Sequence, residues 1–298
     1  MTRPTTLRAQ LAELSTPVIV PGGGTPLEAL AVQAAGFGAF YLSGYAVAAW
    51  RHGLPDIGLL GASDALEALR AVRRVTSLPV IVDADTAYGD VTSVYANVRL
   101  LEAAGAAAIQ IEDQVWPKKC GHMANKAVID SDEAVAKIAM ATEARRDPET
   151  IIIARTDSLA PHGLDEALSR AQRFHDVGAD VVFIDAPTSV EELRIIGSTL
   201  PGPIMANMTE SGLTPLLPAR EFHDLGFQLV IYPAAPLRVA SRQLRSFLAD
   251  LHESGDSTSW SSQMDSLDEL NELVGLDEYL TVGDRAAIPN AGAWPDQL

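Results

Sequence analysis

The chain has 298 residues, 47% of them hydrophobic, and a formal net charge of −17. It can bury one large core or two smaller ones, and its acidity speaks against nucleic acid or an anionic membrane as partner, since both reward clustered positive charge. The lone cysteine, Cys120, makes no internal disulfide and suits a reducing compartment. The opening segment "MTRPTTLRAQLAELSTP" lacks the apolar stretch of a secretory signal, and no apolar run reaches the roughly 18 residues of a membrane span. A soluble, cytoplasmic protein is expected, with no membrane or nucleic-acid partner.

In chain order, short β-branched runs recur: "VIVPGG" (18–23), "AFYLSG" (39–44), "PVIVDAD" (79–85) and "AIQIED" (108–113). The second half continues with "TIIIARTD" (150–157), "VVFIDAP" (181–187), "PIMANM" (203–208) and "LVIYPA" (229–234). Such runs, without polar alternation, suit strands buried on both faces of a parallel sheet. Between them lie helical patterns such as "DALEALRAVRRV", several ending in glycine where a helix C-cap is expected. Eight such units predict a closed (β/α)8 barrel. The rival, an open doubly wound sheet, would carry a phosphate fingerprint after its first strand, and "PGGGTP" (21–26) lacks the GxGxxG spacing.

The barrel is expected over residues 1–252. Residues 253–298 then read as a second region: "HESGDSTSWSSQ" (252–263) is a polar linker, and "MDSLDELNELVGLDEYL" (264–280) is an amphipathic helix. A helix beyond a completed barrel must cover its apolar stripe, and a neighbouring subunit is one candidate.

Barrels place their chemistry at the C-terminal ends of their strands. Those ends hold Ser43 and Gly44, Asp83 and Asp85, Glu112 and Asp113, Arg155 and Asp157, Asp185, Asn207 and Thr209, and Tyr232. "DAD" followed by "IED" on the next strand gathers carboxylates in one small volume, where unpaired like charges raise one another's pKa. A hard divalent cation removes that conflict, and an oxygen-only set favours Mg2+, with Mn2+ possible, over zinc. Asp83 and Asp85 are the expected direct ligands, with Glu112 in support or acting through water. The alternative is that Glu112 or Asp113 pairs with Arg155.

Cys120 lies in "WPKKCGHMANK" (116–126), inside the long connection after the fourth strand. Loops of that length are often active-site lids. Lys118, Lys119 and His122 would favour the thiolate or ease its proton exchange.

Taken together, "LSG…GLPD", "VDAD", "IEDQ…PKKCGH", "ARTD" and "ANMTE" resemble the isocitrate lyase/phosphoenolpyruvate mutase superfamily over about residues 10 to 245. The Lys-Lys-Cys-Gly-His signature is similar to the carbon–carbon lyase branch, which includes 2-methylisocitrate lyase, 2,3-dimethylmalate lyase and petal death protein. The resemblance implies a Mg2+-dependent barrel, commonly a homotetramer, with its terminal helix exchanged between subunits. By motif, Asp83 and Asp85 bind the metal, with Asp56 and Glu112 nearby. Ser43, Gly44, Tyr45, Gly121, Arg155, Asp185, Asn207, Thr209 and Arg238 hold the substrate. Cys120 is the general acid, with Lys118 and His122 beside it.

Two departures narrow the implied substrate. The methylisocitrate lyases carry an arginine where "DSLDELNEL" has Leu267, and strand six ends in Asp185 where a glutamate is usual. A missing cation argues against a tricarboxylate. The expected activity is retro-aldol cleavage of a small di- or tricarboxylate 2-hydroxy acid, a substituted malate before methylisocitrate, to an α-keto acid and a carboxylate. Carboxyphosphonate mutase chemistry and non-catalytic dicarboxylate binding are the alternatives.

Overall fold

Each apolar run becomes a parallel strand followed by a helix. A computed structural model describes residues 6–13, 15–121, 123 and 125–285. The strands are β1 (Val18–Gly23), β2 (Phe40–Leu42), β3 (Val80–Asp83), β4 (Ala108–Glu112), β5 (Ile151–Thr156), β6 (Val181–Ile184), β7 (Met205–Asn207) and β8 (Leu229–Tyr232). They pair in the order β6-β5-β4-β3-β2-β1-β8-β7. The two ends of that order meet at a parallel bridge between Val182 and Ile204, which nearly closes the ring. This is the expected (β/α)8 barrel, and the meeting of β6 with β7 excludes the open sheet.

Two apolar layers follow from the period of two along each strand. Phe40, Leu42, Val80, Val82, Ile109 and Ile111 pack outwards beneath the helices. Tyr41, Ile81, Ala108, Ile151, Ile153, Val181, Phe183, Met205, Leu229 and Ile231 fill the barrel itself. A helix that the periodicity did not announce, Leu7–Ala12, adds Leu7 and Leu11 to this inner layer. Thr6 caps it by accepting a hydrogen bond from the Ala9 amide.

Contacts divide the chain into a unit ending at Arg242 and another beginning at Gln243, and the helix Ala235–Ser254 contributes to both. The expected polar linker is structured. A 3-10 turn spans Thr258–Gln263, and Trp260 anchors it by donating from Nε1 to Asp250 at 2.8 Å and stacking edge-on against Phe247. One tryptophan among serines outweighs the linker composition. The single helix expected over 264–280 is two, Leu267–Leu273 and Leu276–Arg285, interrupted at Gly275 with φ of +78°. Leu267, Leu270, Val274, Tyr279, Leu280 and Val282 are all exposed along them. Among the described residues, no helix is long and apolar enough to cross a membrane.

Candidate active site

The inner-face rhythm continues past the last strand residues and decides which polar side chains converge. Tyr41 leads to Ser43, Ile81 to Asp83, Gln110 to Glu112, Ile153 to Arg155, Phe183 to Asp185, and Met205 to Asn207. Each of these strand ends turns its side chain to the barrel axis, where Tyr41, Ser43, Asp83, Arg155 and Asn207 line one cavity of about 250 Å³. Asp113 falls on the opposite parity. Its carboxylate meets Arg170 at 3.1 Å in the helix layer and accepts from Thr156 Oγ1 at 2.7 Å. Of the two partners considered for Arg155, Glu112 is therefore the one present, with Oε2 at 3.3 Å from Nε.

On one side of the cavity the carboxylates gather. Asp83 Oδ2 accepts from the Gly44 amide at 3.2 Å, and its Oδ1 accepts from Gln110 Nε2 at 3.2 Å. Lys118 reaches in from the connection after β4, with Nζ 2.5 Å from Asp56 Oδ1 and 2.7 Å from Asp85 Oδ1. Burial pushes the Asp85 carboxyl up to about 7 despite that ammonium, and Asp83 adds to the rise. Burial likewise holds Glu112 well above the ordinary carboxylate range, against the pull of Arg155. Burial alone would lower Lys118, but Asp85, Glu112, Asp83 and Asp56 outweigh it and hold it well above its usual value.

On the opposite side Arg155 organises the anions. Its Nε and Nη2 grip Asp157 at 2.8 and 2.9 Å, and Nη2 also reaches Asp185 at 3.0 Å. Lys126 is buried beneath the connection, 2.7 Å from Asp157 and 3.7 Å from Asp185. Burial would raise Asp157, yet Arg155 and Lys126 keep it well below the usual carboxylate range. Asn207 Nδ2 donates to Asp185 at 3.3 Å, and Thr209 Oγ1 donates to Asn207 at 2.9 Å. Arg155 makes no hydrogen bond through Nη1 among the described residues, so this face can still receive an anion.

The segment between Gln114 and Val128 roofs the cavity. An antiparallel bridge joins those two residues, and Gln114 grips the Lys119 backbone through both its amide atoms at 2.8 and 3.0 Å. Lys118, Lys119, half-buried Cys120 and Gly121 all face the cavity. Gly121 sits so close to the acidic wall that a Cβ there would lie 1.7 Å from Asp185 Oδ2 and 2.3 Å from Arg155 Nη2. A side chain at this position would force the roof or the Asp185–Arg155 pair to shift. The lysine ammonium groups have partners other than the thiol: Lys118 has Asp56 and Asp85, and Lys119 donates to Asn125 O at 3.0 Å. His122 lies outside the described residues.

Tyr45 and Arg238 also line the cavity, Arg238 at the rim with Nη1 2.5 Å from Glu210 O and 3.0 Å from Glu210 Oε2. Three residues escape the sequence reading. Tyr41, on the cavity wall, donates to Gln110 Oε1 at 2.9 Å, and Gln110 is fully buried. Each is a polar group inside an otherwise apolar run, in "AFYLSG" and "AIQIED", and that anomaly was the available signal. Lys126 had none: nothing local tells a buried lysine from an exposed one.

The donor set fits a hard cation. Asp56, Asp83, Asp85, Glu112, Asp157 and Asp185 outnumber Lys118, Lys126 and Arg155 among the described residues. Glu112 Oε1 and Asp85 Oδ1 accept no hydrogen bond, the latter meeting Lys118 only as an ion pair of poor angle. No cluster of three or more metal-type side chains stands ready among the described residues. Mg2+ does not require one, since it keeps several waters and takes one or two carboxylates.

A family model described as phosphoenolpyruvate phosphomutase matches residues 7–252. The chain is 43% identical to a probable 2-methylisocitrate lyase 2 of Corynebacterium glutamicum, over 91% of this chain and 89% of that one. It is 38% identical to 2,3-dimethylmalate lyase of Eubacterium barkeri, over 89% and 92%. A crystal structure of 2,3-dimethylmalate lyase superposes with a TM-score of 0.90 at 35% identity, covering 100% of this chain and 99% of the other. Phosphonopyruvate hydrolase in complex with oxalate and Mg2+ superposes with a TM-score of 0.85 at 30% identity, covering 96% and 99%. The chain therefore belongs to the phosphoenolpyruvate mutase/isocitrate lyase superfamily and is an enzyme of its carbon–carbon lyase type.

Proposed function

We propose that this enzyme cleaves a 2-hydroxy acid of the substituted-malate class into an α-keto acid and a carboxylate, with Mg2+ as cofactor. One observation carries the reading: a single cavity is lined by the thiol of Cys120, the carboxylates Asp56 and Asp83, and the cations Lys118 and Arg155. Its volume of about 250 Å³ is below the roughly 300–1,000 Å³ of pockets for drug-sized ligands, which suits a small polycarboxylate.

Asp83 and Asp85 would hold the cation, with Glu112 and Asp56 close by. When bound, Mg2+ supplies Lewis acidity towards the hydroxyl oxygen and the keto acid that forms from it. The protein's own groups do the rest. Arg155 receives one substrate carboxylate, aided by Ser43, Asn207 and Thr209, while Gly44 keeps Asp83 in place through its amide. The hydroxyl gives up its proton to a carboxylate of the acidic wall around Asp83, the electron pair on its oxygen forms the carbonyl of the keto acid, and the electron pair of the breaking carbon–carbon bond passes to the leaving fragment. The leaving carbanion sits beside its own carboxylate, an enolate-like dianion that Lys118 and Arg155 stabilise electrostatically. The proton of Cys120 is delivered to that carbon while Gly121 closes flush on Asp185 and the roof excludes water. A reducing cytoplasm keeps such a thiol available.

The exposed stripe from Leu267 to Val282 supports the further reading that the C-terminal helices cover a neighbouring subunit in a homotetramer. The test of function is a panel: protein, Mg2+ and a range of 2-hydroxy di- and tricarboxylates, with products identified by mass. Substituted malates should give keto acid and carboxylate in equal amounts. A panel without turnover, together with phosphorus NMR showing conversion of a phosphonate, would replace this reading with mutase chemistry.

A further inference from the structure

The backbone just after β3 is held in an unusual shape. Asp85, Ala87 and Tyr88 all have positive φ, at 48°, 61° and 60°. L-residues with side chains rarely adopt this region, and three within four residues persist only where the surroundings over-determine them. The surroundings do so through the carbonyls. Ala84 O accepts from the Ala87 amide at 2.8 Å, and Asp85 O accepts from the Glu112 amide at 2.9 Å. The next two carbonyls are met by side chains from the helix layer. Lys137, on the helix Ser131–Ala144, donates from Nζ to Thr86 O at 2.6 Å. Asn97, on the helix Val91–Ala103, donates from Nδ2 to Ala87 O at 2.9 Å.

Four consecutive carbonyls are thus each satisfied within the protein, although Thr86, Asn97 and Lys137 line a cavity of about 560 Å³. Lys137 is itself only 5% exposed, and no carboxylate pairs with its ammonium among the described residues. Burying a lysine to serve a backbone carbonyl is costly for folding alone, because an apolar side chain would pack there more cheaply. The carbonyl it serves follows Asp85 directly. We propose that Lys137 and Asn97 are positioning residues that lock the Asp85–Tyr88 turn in its left-handed form, and so aim the Asp85 carboxylate for metal binding.

The inference rests on Asp85 being a metal ligand, so its test measures binding rather than turnover. Mn2+ serves as the probe, read by electron paramagnetic resonance on the full-length enzyme well below its melting temperature. Groups that orient a ligand typically cost 10–100-fold in affinity when lost. K137M should raise the Mn2+ Kd about tenfold while the protein stays folded. N97A removes one partly accessible hydrogen bond, should fold in any case, and should raise the Kd about two- to tenfold. D85N is the control and should weaken binding more than either. Should wild type bind no Mn2+, or D85N bind as wild type does, the metal assignment itself falls and this proposal with it. If wild type and D85N behave as expected but K137M and N97A keep the wild-type Kd and only lower the melting temperature, the lysine and asparagine are merely structural and the proposal alone is overturned.

Discussion

Replacing Gly121 with alanine perturbs the enzyme at one contact whose geometry is fully specified. The added Cβ would lie 1.7 Å from Asp185 Oδ2 and 2.8 Å from its Cγ, whereas ordinary contact begins near 3.4 Å. The roof must therefore recede, or the Asp185–Arg155 pair must part. Parting leaves a buried charge uncompensated, at about 3–5 kcal/mol. Crowding relieved by a small shift costs about 1–3 kcal/mol. The roof should move, because that response is cheaper. A cost of about 2 kcal/mol on the closed, reactive arrangement lowers the closed-to-open ratio about 30-fold, and a displaced proton donor can raise the loss to about 100-fold. The expected outcome for G121A is a 30- to 100-fold lower kcat, a melting temperature lowered by at most a few degrees, and faster amide exchange across 115–126. A variant within threefold of wild type in kcat, with unchanged exchange, would refute the closed-roof geometry as the working state.

Three further outcomes follow from other parts of the structure. K126M removes the ammonium 2.7 Å from Asp157 and should cost about 3–5 kcal/mol at neutral pH, read by denaturant titration. Asp157 has its folded pKa depressed below the ordinary 3.8, so its stabilisation is present above that value and lost as pH falls through the folded pKa. The gap between K126M and wild type should therefore close only in strong acid, and a gap that is constant with pH would contradict the pairing. Tyr41→Phe removes the donor to the Gln110 amide that also serves Asp83, and it should weaken Mg2+ binding by about two- to tenfold; unchanged binding would argue against that relay. Leu267→Glu combined with Tyr279→Glu places charge on the exposed C-terminal stripe and should give smaller particles by light scattering, whereas an unaltered mass would place the subunit contact elsewhere.

The barrel was legible because apolar runs recur eight times and several of the intervening helices stop at glycine; the observed β1 spans the residues of "VIVPGG" and β4 those of "AIQIE". The acidic strand ends were legible too, since "DAD" and "IED" break apolar runs. What the sequence could not separate was Asp113 from Glu112, adjacent carboxylates sent to opposite sides of the sheet by the two-residue pleat. That distinction needs the inner face assigned, and Tyr41 and Gln110, polar residues on the inner parity, were the markers that assign it. Lys126 and Lys137 were not legible at all, because a buried lysine depends on partners 31 and 51 residues away in the chain. In the C-terminal unit, composition concealed the anchor at Trp260, and Gly275 ended a helix whose apolar spacing ran straight through it.

The proposed chemistry has a lid thiol protonate a carbanion formed over a magnesium-binding carboxylate site. Its most direct test is keto-acid release from the best substrate found in the panel, measured for wild type and C120A with saturating Mg2+ and again after chelation. Loss of a positioned general acid costs about 10²–10⁴-fold. C120A should show a kcat lower by that factor with Mg2+ affinity retained, and neither protein should turn over after chelation. Full turnover by C120A, or by wild type stripped of metal, would contradict the proposed chemistry.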